Sequence, residues 1–88
     1  MNRTALLDEA NRLINKDRAA SYGDSNITHR RVAAVWSALL NHPVSAHQVS
    51  LMMAGLKLVR AAHDPRNADS WIDLIGYAAL GGENATEV

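Results

Sequence analysis

The stretch from Met53 to Tyr77, MAGLKLVRAAHDPRNADSWIDLIGY, most narrowly limits what this chain can fold into. It reads as the end of one helix, a short turn at His63–Asn67 and the start of another helix, with charges on both arms. Two antiparallel helices joined by so short a turn must pack together. Lys57 and Arg60, three residues apart, share a face of the first arm, and Asp69 and Asp73, four apart, share a face of the second. Two bases and two acids are therefore expected near one seam. They either neutralise each other beside a core or surround something bound.

The first arm belongs to a longer apolar segment, AHQVSLMMAGLKLVRAAH, opened by Ser45 with Gln48 three residues on, a capping-box pattern. Val49, Met52, Leu56 and Val59 make one face of this helix, and Leu51, Gly55, Leu58 and Ala62 another. Only a stripe through Ser50, Lys57, Arg60 and Asp64 is polar. A helix apolar on most sides belongs at the centre of a bundle. Three other short helices cannot surround it, so one face is expected to meet a second copy of the chain, with Gly55 allowing close backbone approach. The chain's 88 residues contain no cysteine, which rules out disulfides and thiolate metal sites and leaves association to supplement a small core.

Upstream, Thr4 can cap a first helix running to about Lys16, with Leu6, Leu7, Ala10, Leu13 and Ile14 on its apolar face. Residues 17–26 lose helical periodicity and read as a loop that carries Arg18 and Tyr22, a donor fork and an amphipathic ring able to clamp a phosphorylated ligand. A second helix starts near Ser25 or Asn26 and ends near Asn41, with Val32, Val35, Trp36, Leu39 and Leu40 as its buried stripe. His29 shares a side with Ala33 and Trp36. The fourth helix, capped by Asn67 and ended by Gly81 and Gly82, places Trp71, Leu74, Ile75, Ala78 and Ala79 on its apolar face. Asp69, Asp73, Gly76, Tyr77 and Leu80 fall on the adjacent one. The expected fold class is all-α: four short helices in a single domain over residues 1–82, a frayed tail over 83–88, and a helical bundle completed by homo-oligomerisation.

A formal net charge of zero argues against bulk nucleic-acid binding. No apolar run reaches the length needed to cross a bilayer, and the charged first residues do not resemble a secretory signal, so the expected location is the cytoplasm. There is no nucleophile elbow, P-loop or dinucleotide fingerprint. What remains is a helical site in which Asp69 and Asp73 hold a magnesium ion and Lys57, Arg60 or Arg18 hold phosphates.

Asp17-Arg18, Tyr22-Gly23, the KLVR segment from Lys57 to Arg60, and Asp69, Trp71, Asp73, Gly76 and Tyr77 in DSWIDLIGYAAL together resemble a family of small phage and prophage proteins. That family is distantly similar to the MazG-like all-α nucleotide pyrophosphohydrolases, magnesium-dependent helical oligomers in which a helix carrying EExxE faces one carrying ExxD. The resemblance implies that Asp69 and Asp73 stand where the second motif would be, at a spacing of four rather than three. In place of the first motif the central helix presents Lys57 and Arg60. Bases in place of metal-binding acids would grip phosphate directly, which ranks binding above catalysis. The expected function is therefore binding of a nucleotide or nucleotide-derived phosphate ligand, with its sequestration in the host cell as the role and with no cofactor. The ligand residues would be Arg18, Tyr22, Lys57, Arg60, Asp69, Asp73 and Tyr77, with Tyr22 or Tyr77 stacking or hydrogen-bonding. A divergent magnesium-dependent pyrophosphohydrolase, with Asp69 and Asp73 as metal ligands, is one alternative. A structural or interaction protein without a small-molecule ligand is the other.

Overall fold

The computed structural model describes residues 1–17 and 25–86, so the expectations placed on Arg18 and Tyr22 lie outside the described residues. The architecture is all-α. Helix α1 spans Arg3–Arg12 and runs into a π-helical turn at Leu13–Asp17; α2 spans Ser25–Leu40, α3 Ala46–His63 and α4 Ala68–Thr86. The most extensive packing is between α3 and α4, the two arms of the hairpin, while α1 rests on α4 and α2 on α3.

The helix ends follow from local chemistry. Asn2, not Thr4, caps α1, its side-chain oxygen accepting from the Ala5 amide at 2.8 Å. On the outside of α1, a hydrogen bond from Arg12 holds the Glu9 carboxyl below its usual pKa. At the end of α2, Asn41 takes a left-handed φ of 51°. The His42 amide then donates to the Ser37 carbonyl (3.1 Å) and the Asn41 amide to that of Ala38 (3.4 Å), a Schellman closure. Ser37 Oγ donates to the Ala33 carbonyl at 2.7 Å and accepts from the Val44 amide at 2.8 Å, tying the returning chain to α2. The capping box at Ser45 forms as expected, Ser45 N–H donating to Gln48 Oε1 at 2.9 Å and Gln48 N–H to Ser45 Oγ at 3.3 Å. Losing the Ser45 hydroxyl in Ser45→Ala should cost about 1 kcal/mol in chemical unfolding.

Helix α4 runs through Gly81 and Gly82 to Thr86 instead of stopping at them. Gly81 is there for close packing: a Cβ on it would lie 2.9 Å from the Ser50 Cβ of α3. The Asn84 and Thr86 side chains bond back to the carbonyls of Leu80 (3.2 Å) and Gly82 (2.7 Å), which carries the last turn past the glycines.

The interior differs more from expectation. Its buried apolar residues are Ala10, Ala33, Val49, Ala61, Ile72 and Leu80, half of them alanine, and Ser50 is among the most buried side chains of all. Many of the larger apolar residues face out. The stripe expected to bury α2 leaves Val35, Leu39 and Leu40 exposed at 57%, 77% and 61%. Instead α2 turns the side bearing His29 and Ala33 inward. On α3, Leu51, Leu58 and Val59 are 63%, 58% and 68% exposed, and on α4 Trp71 is 40% exposed, its indole N–H donating to the Pro65 carbonyl at 3.0 Å. The buried side of α4 is Ser70, Ile72, Gly76, Leu80 and Gly81, rotated away from the expected apolar face. Small inward residues let helix axes approach closely. The large apolar residues then have no room inside a single chain. A radius of gyration of 13.5 Å, against about 12 Å for a compact domain of this length, reflects the same open build.

Candidate functional site

The inward side of α3 is the one carrying polar groups. Ser50 and Lys57 are seven residues, two turns, apart and therefore share a face. Both point into the fold. Ser50 Oγ and His29 Nδ1 of α2 share a buried hydrogen bond at 2.9 Å. The His29 ring lies over Tyr77 of α4, with centroids 6.2 Å apart and planes at 25°. Tyr77 sits one turn from Asp73, and Asp73 Oδ2 meets Lys57 Nζ at 2.9 Å, with side chains only 20% and 17% exposed. Three helices are thus joined by one polar seam. Such a seam costs desolvation that an apolar interior would not.

Two recesses flank it. A cleft of only about 10 Å³ runs beside Leu13, Ile14, Asp73, Gly76 and Tyr77, far below the size of an ordinary ligand pocket. A Cβ on Gly76 would lie 3.1 Å from Ile14 Cγ2, so this glycine serves helix contact rather than leaving space for a ligand. The second recess, at the α3–α4 turn, is an open hollow of about 350 Å³ lined by Val59, Arg60, His63, Asp64, Asn67 and Ser70. Its size suits a small molecule. Arg60 makes no ion pair among the described residues. Ser70 is buried as a residue, and its hydroxyl, which makes no hydrogen bond among the described residues, stays open to solvent. The first turn of α4 opens here, with the Asn67 side chain accepting from the Asp69 amide at 3.0 Å. The positive end of the helix dipole therefore borders the hollow.

The residues expected to form one site are divided between these places. Lys57, Asp73 and Tyr77 come together in the seam, whereas Arg60 lies at the hollow. Asp69 is exposed and lines neither recess. Asp69 shares the face of Asp73 and Gly76, and it is separated from them by its place in the first turn of α4, one turn beyond the seam. Among the described residues no three His, Asp or Glu side chains gather to hold a metal, and Asp73 is already bonded to Lys57. His29, Ser50, His63 and Ser70 are the contributors that sequence reasoning did not assign to a site. The usable signal was the seven-residue spacing of Ser50 and Lys57 on an otherwise apolar helix.

A family model described as a domain of unknown function, DUF6378, matches residues 5–85. The chain is 32% identical over 77 residues to the Gene 55 protein of Mycobacterium phage L5, covering 86% of this chain and 49% of that protein. With the Gene 55 protein of Mycobacterium phage D29 it shares 31% identity over 74 residues, covering 84% and 49%. The chain thus spans about half the length of the curated relatives it matches. No solved structure matches it. Among the described residues no helix is long and apolar enough to cross a membrane.

Proposed function

The chain belongs to the DUF6378 family, with phage proteins among its relatives, and from that footing we propose that it binds a nucleotide-like phosphorylated ligand in the groove between α3 and α4. The observation that carries this reading is the hollow at the turn: it is lined by an arginine without an acidic partner among the described residues and by a serine whose hydroxyl is open to solvent and makes no hydrogen bond among them. Both are donors that a phosphate would satisfy. The first turn of α4 adds the backbone polarity that favours an anion at a helix start. Asp64 also borders the hollow and would repel a bare anion. It suits a ligand that brings hydroxyl or amino donors along with its phosphate, as a nucleotide does.

In this reading the phosphate lies against Arg60 and His63, and Asp64 accepts from a sugar hydroxyl or base edge. The Lys57–Asp73 pair, one turn further along both helices and about 5 Å deeper, forms the inner wall. Tyr77, stacked on His29, backs that wall, and Asp69 stays at the rim. The binding unit is an assembly of copies of this chain, and its role is to sequester the ligand in the host cytoplasm. Kinship with MazG-like enzymes would then be one of architecture and ligand class, without their metal chemistry.

Calorimetric titration with nucleoside mono-, di- and triphosphates, with and without chelator, tests this. Binding is expected to survive the chelator and to weaken about 10–100-fold in Arg60→Ala, the loss of one charge-assisted contact, with the helical circular dichroism unchanged. Absence of binding across the series, or equal binding by Arg60→Ala, would overturn it.

A further inference from the structure

The outward side of α3 takes no part in the seam and meets the hollow only at Val59. Leu51, Met52, Leu56, Leu58 and Val59 are 63%, 49%, 47%, 58% and 68% exposed. Along this side Gln48, Leu51, Gly55, Leu58 and Ala62 follow one another at intervals of three, four, three and four, the spacing with which one helix pairs with another. None of them is charged. Lys57 is turned to Asp73, and Arg60 borders the hollow.

Gly55 lies at the midpoint of this row. A Cβ built on it meets nothing within 4 Å, so no packing within the subunit calls for glycine. Glycine in a helix interior is nevertheless unfavourable against alanine. That choice is accounted for if another backbone crosses there.

We propose that a second copy of this chain seats on α3 antiparallel to the first, with the two-fold axis passing beside Gly55. This deepens the assembly part of the function proposed above and is independent of the ligand. A two-fold contact is self-complementary, so position i on one copy faces position 110 − i on the other. Leu51 then meets the partner's Val59, Met52 meets the partner's Leu58, and Gln48 meets the partner's Ala62, while the two glycines share the closest approach. Running antiparallel opposes the helix dipoles favourably. It also sets the two Arg60 side chains about 15 Å apart along the axis, where a parallel pair would bring them level. The five exposed side chains offer on the order of 500 Å² per copy, so the pair buries roughly the 1,000 Å² that a specific interface requires. Val59 and His63 border the hollow as well, so the partner seated on α3 forms part of its outer wall.

The chain has no cysteine, which makes engineered cross-links specific. The double variant Leu51→Cys/Val59→Cys is expected to form a covalent dimer under mild oxidation of the assembled protein, while Leu51→Cys alone and the α1 control Thr4→Cys stay unlinked. Light scattering is expected to give an even-numbered assembly for the unaltered chain. Gly55→Leu, which meets no clash within its own subunit and is the better helix former, is expected to lose association and keep its helicity. Cross-linking by Leu51→Cys alone, no cross-link in the double variant, or association unaffected by Gly55→Leu would overturn the arrangement while leaving assembly by another face standing. A monomer at tens of micromolar would overturn both the arrangement and assembly, whereas the Arg60→Ala titration tests the ligand reading by itself.

Discussion

Asp73→Ala is expected to destabilise the fold by about 2–3 kcal/mol, because it leaves the Lys57 ammonium without its carboxylate in a mostly desolvated position. The two side chains are 17% and 20% exposed and meet at 2.9 Å, which separates them from the exposed ion pairs whose loss is barely measurable. Lys57→Met in the same chain should recover most of the loss, since an uncharged stem of similar length removes the buried charge. Urea unfolding at one fixed protein concentration measures both, so that any self-association enters each comparison equally. A change under 0.5 kcal/mol for Asp73→Ala would show that the pair is effectively solvated. This expectation also alters how ligand variants are read. Lys57→Ala perturbs the fold as well as the groove, and Arg60→Ala, outside the seam, is the cleaner probe of binding.

Gly81→Ala and Gly82→Ala should have opposite signs although they are neighbours. An added methyl at Gly81 falls 2.9 Å from the Ser50 Cβ, an atom fixed to the α3 backbone, so α3 and α4 must separate to admit it. Overpacking of this kind costs about 1–3 kcal/mol. It also strains the His29–Ser50 hydrogen bond, which lies on the same stretch of α3. At Gly82 nothing lies within 4 Å, and alanine there should stabilise α4 by a few tenths to about 1 kcal/mol. Thermal unfolding of the two variants side by side checks the pair of signs. Equal effects would mean that α3 and α4 do not approach at Ser50 as described.

The all-α class, the four helices and most of their boundaries are legible in the sequence because they rest on local chemistry. The Ser45–Gln48 box, Asn41 before His42 and Pro43, and Asn67 ahead of α4 each act within a few residues. Gly81 and Gly82 mislead because a glycine that ends a helix and a glycine that admits a neighbouring helix look alike until the neighbour is known.

Which face turns inward is the part that periodicity misassigns. The rule that large apolar residues lie inside presumes a chain that buries its own core. Here Ser50, Lys57, Ala61, Gly76 and Gly81 allow close helix contact and polar bonding, while Leu51, Leu58, Leu39 and Val35 are left for another surface. The same rotation explains part of the division of the expected site. Lys57 and Arg60 are three residues apart, yet one reaches Asp73 and the other the hollow. Asp69 and Asp73 part for another reason: they share a face, but Asp69 lies in the first turn of α4 and is exposed, while Asp73 lies a turn further in, in the seam. Spacing brings such pairs to neighbouring positions on a helix, and the orientation of that helix against its neighbour, with the place of each residue along it, decides whether both enter one site.

Native mass spectrometry of the protein, purified gently from cells and then denatured to release what it carries, tests the central claim most directly. An even-numbered assembly that releases a phosphorylated nucleotide in fixed ratio to its subunits is the predicted result. A monomer that releases no small molecule, and that takes up none when nucleotides are added, would contradict it.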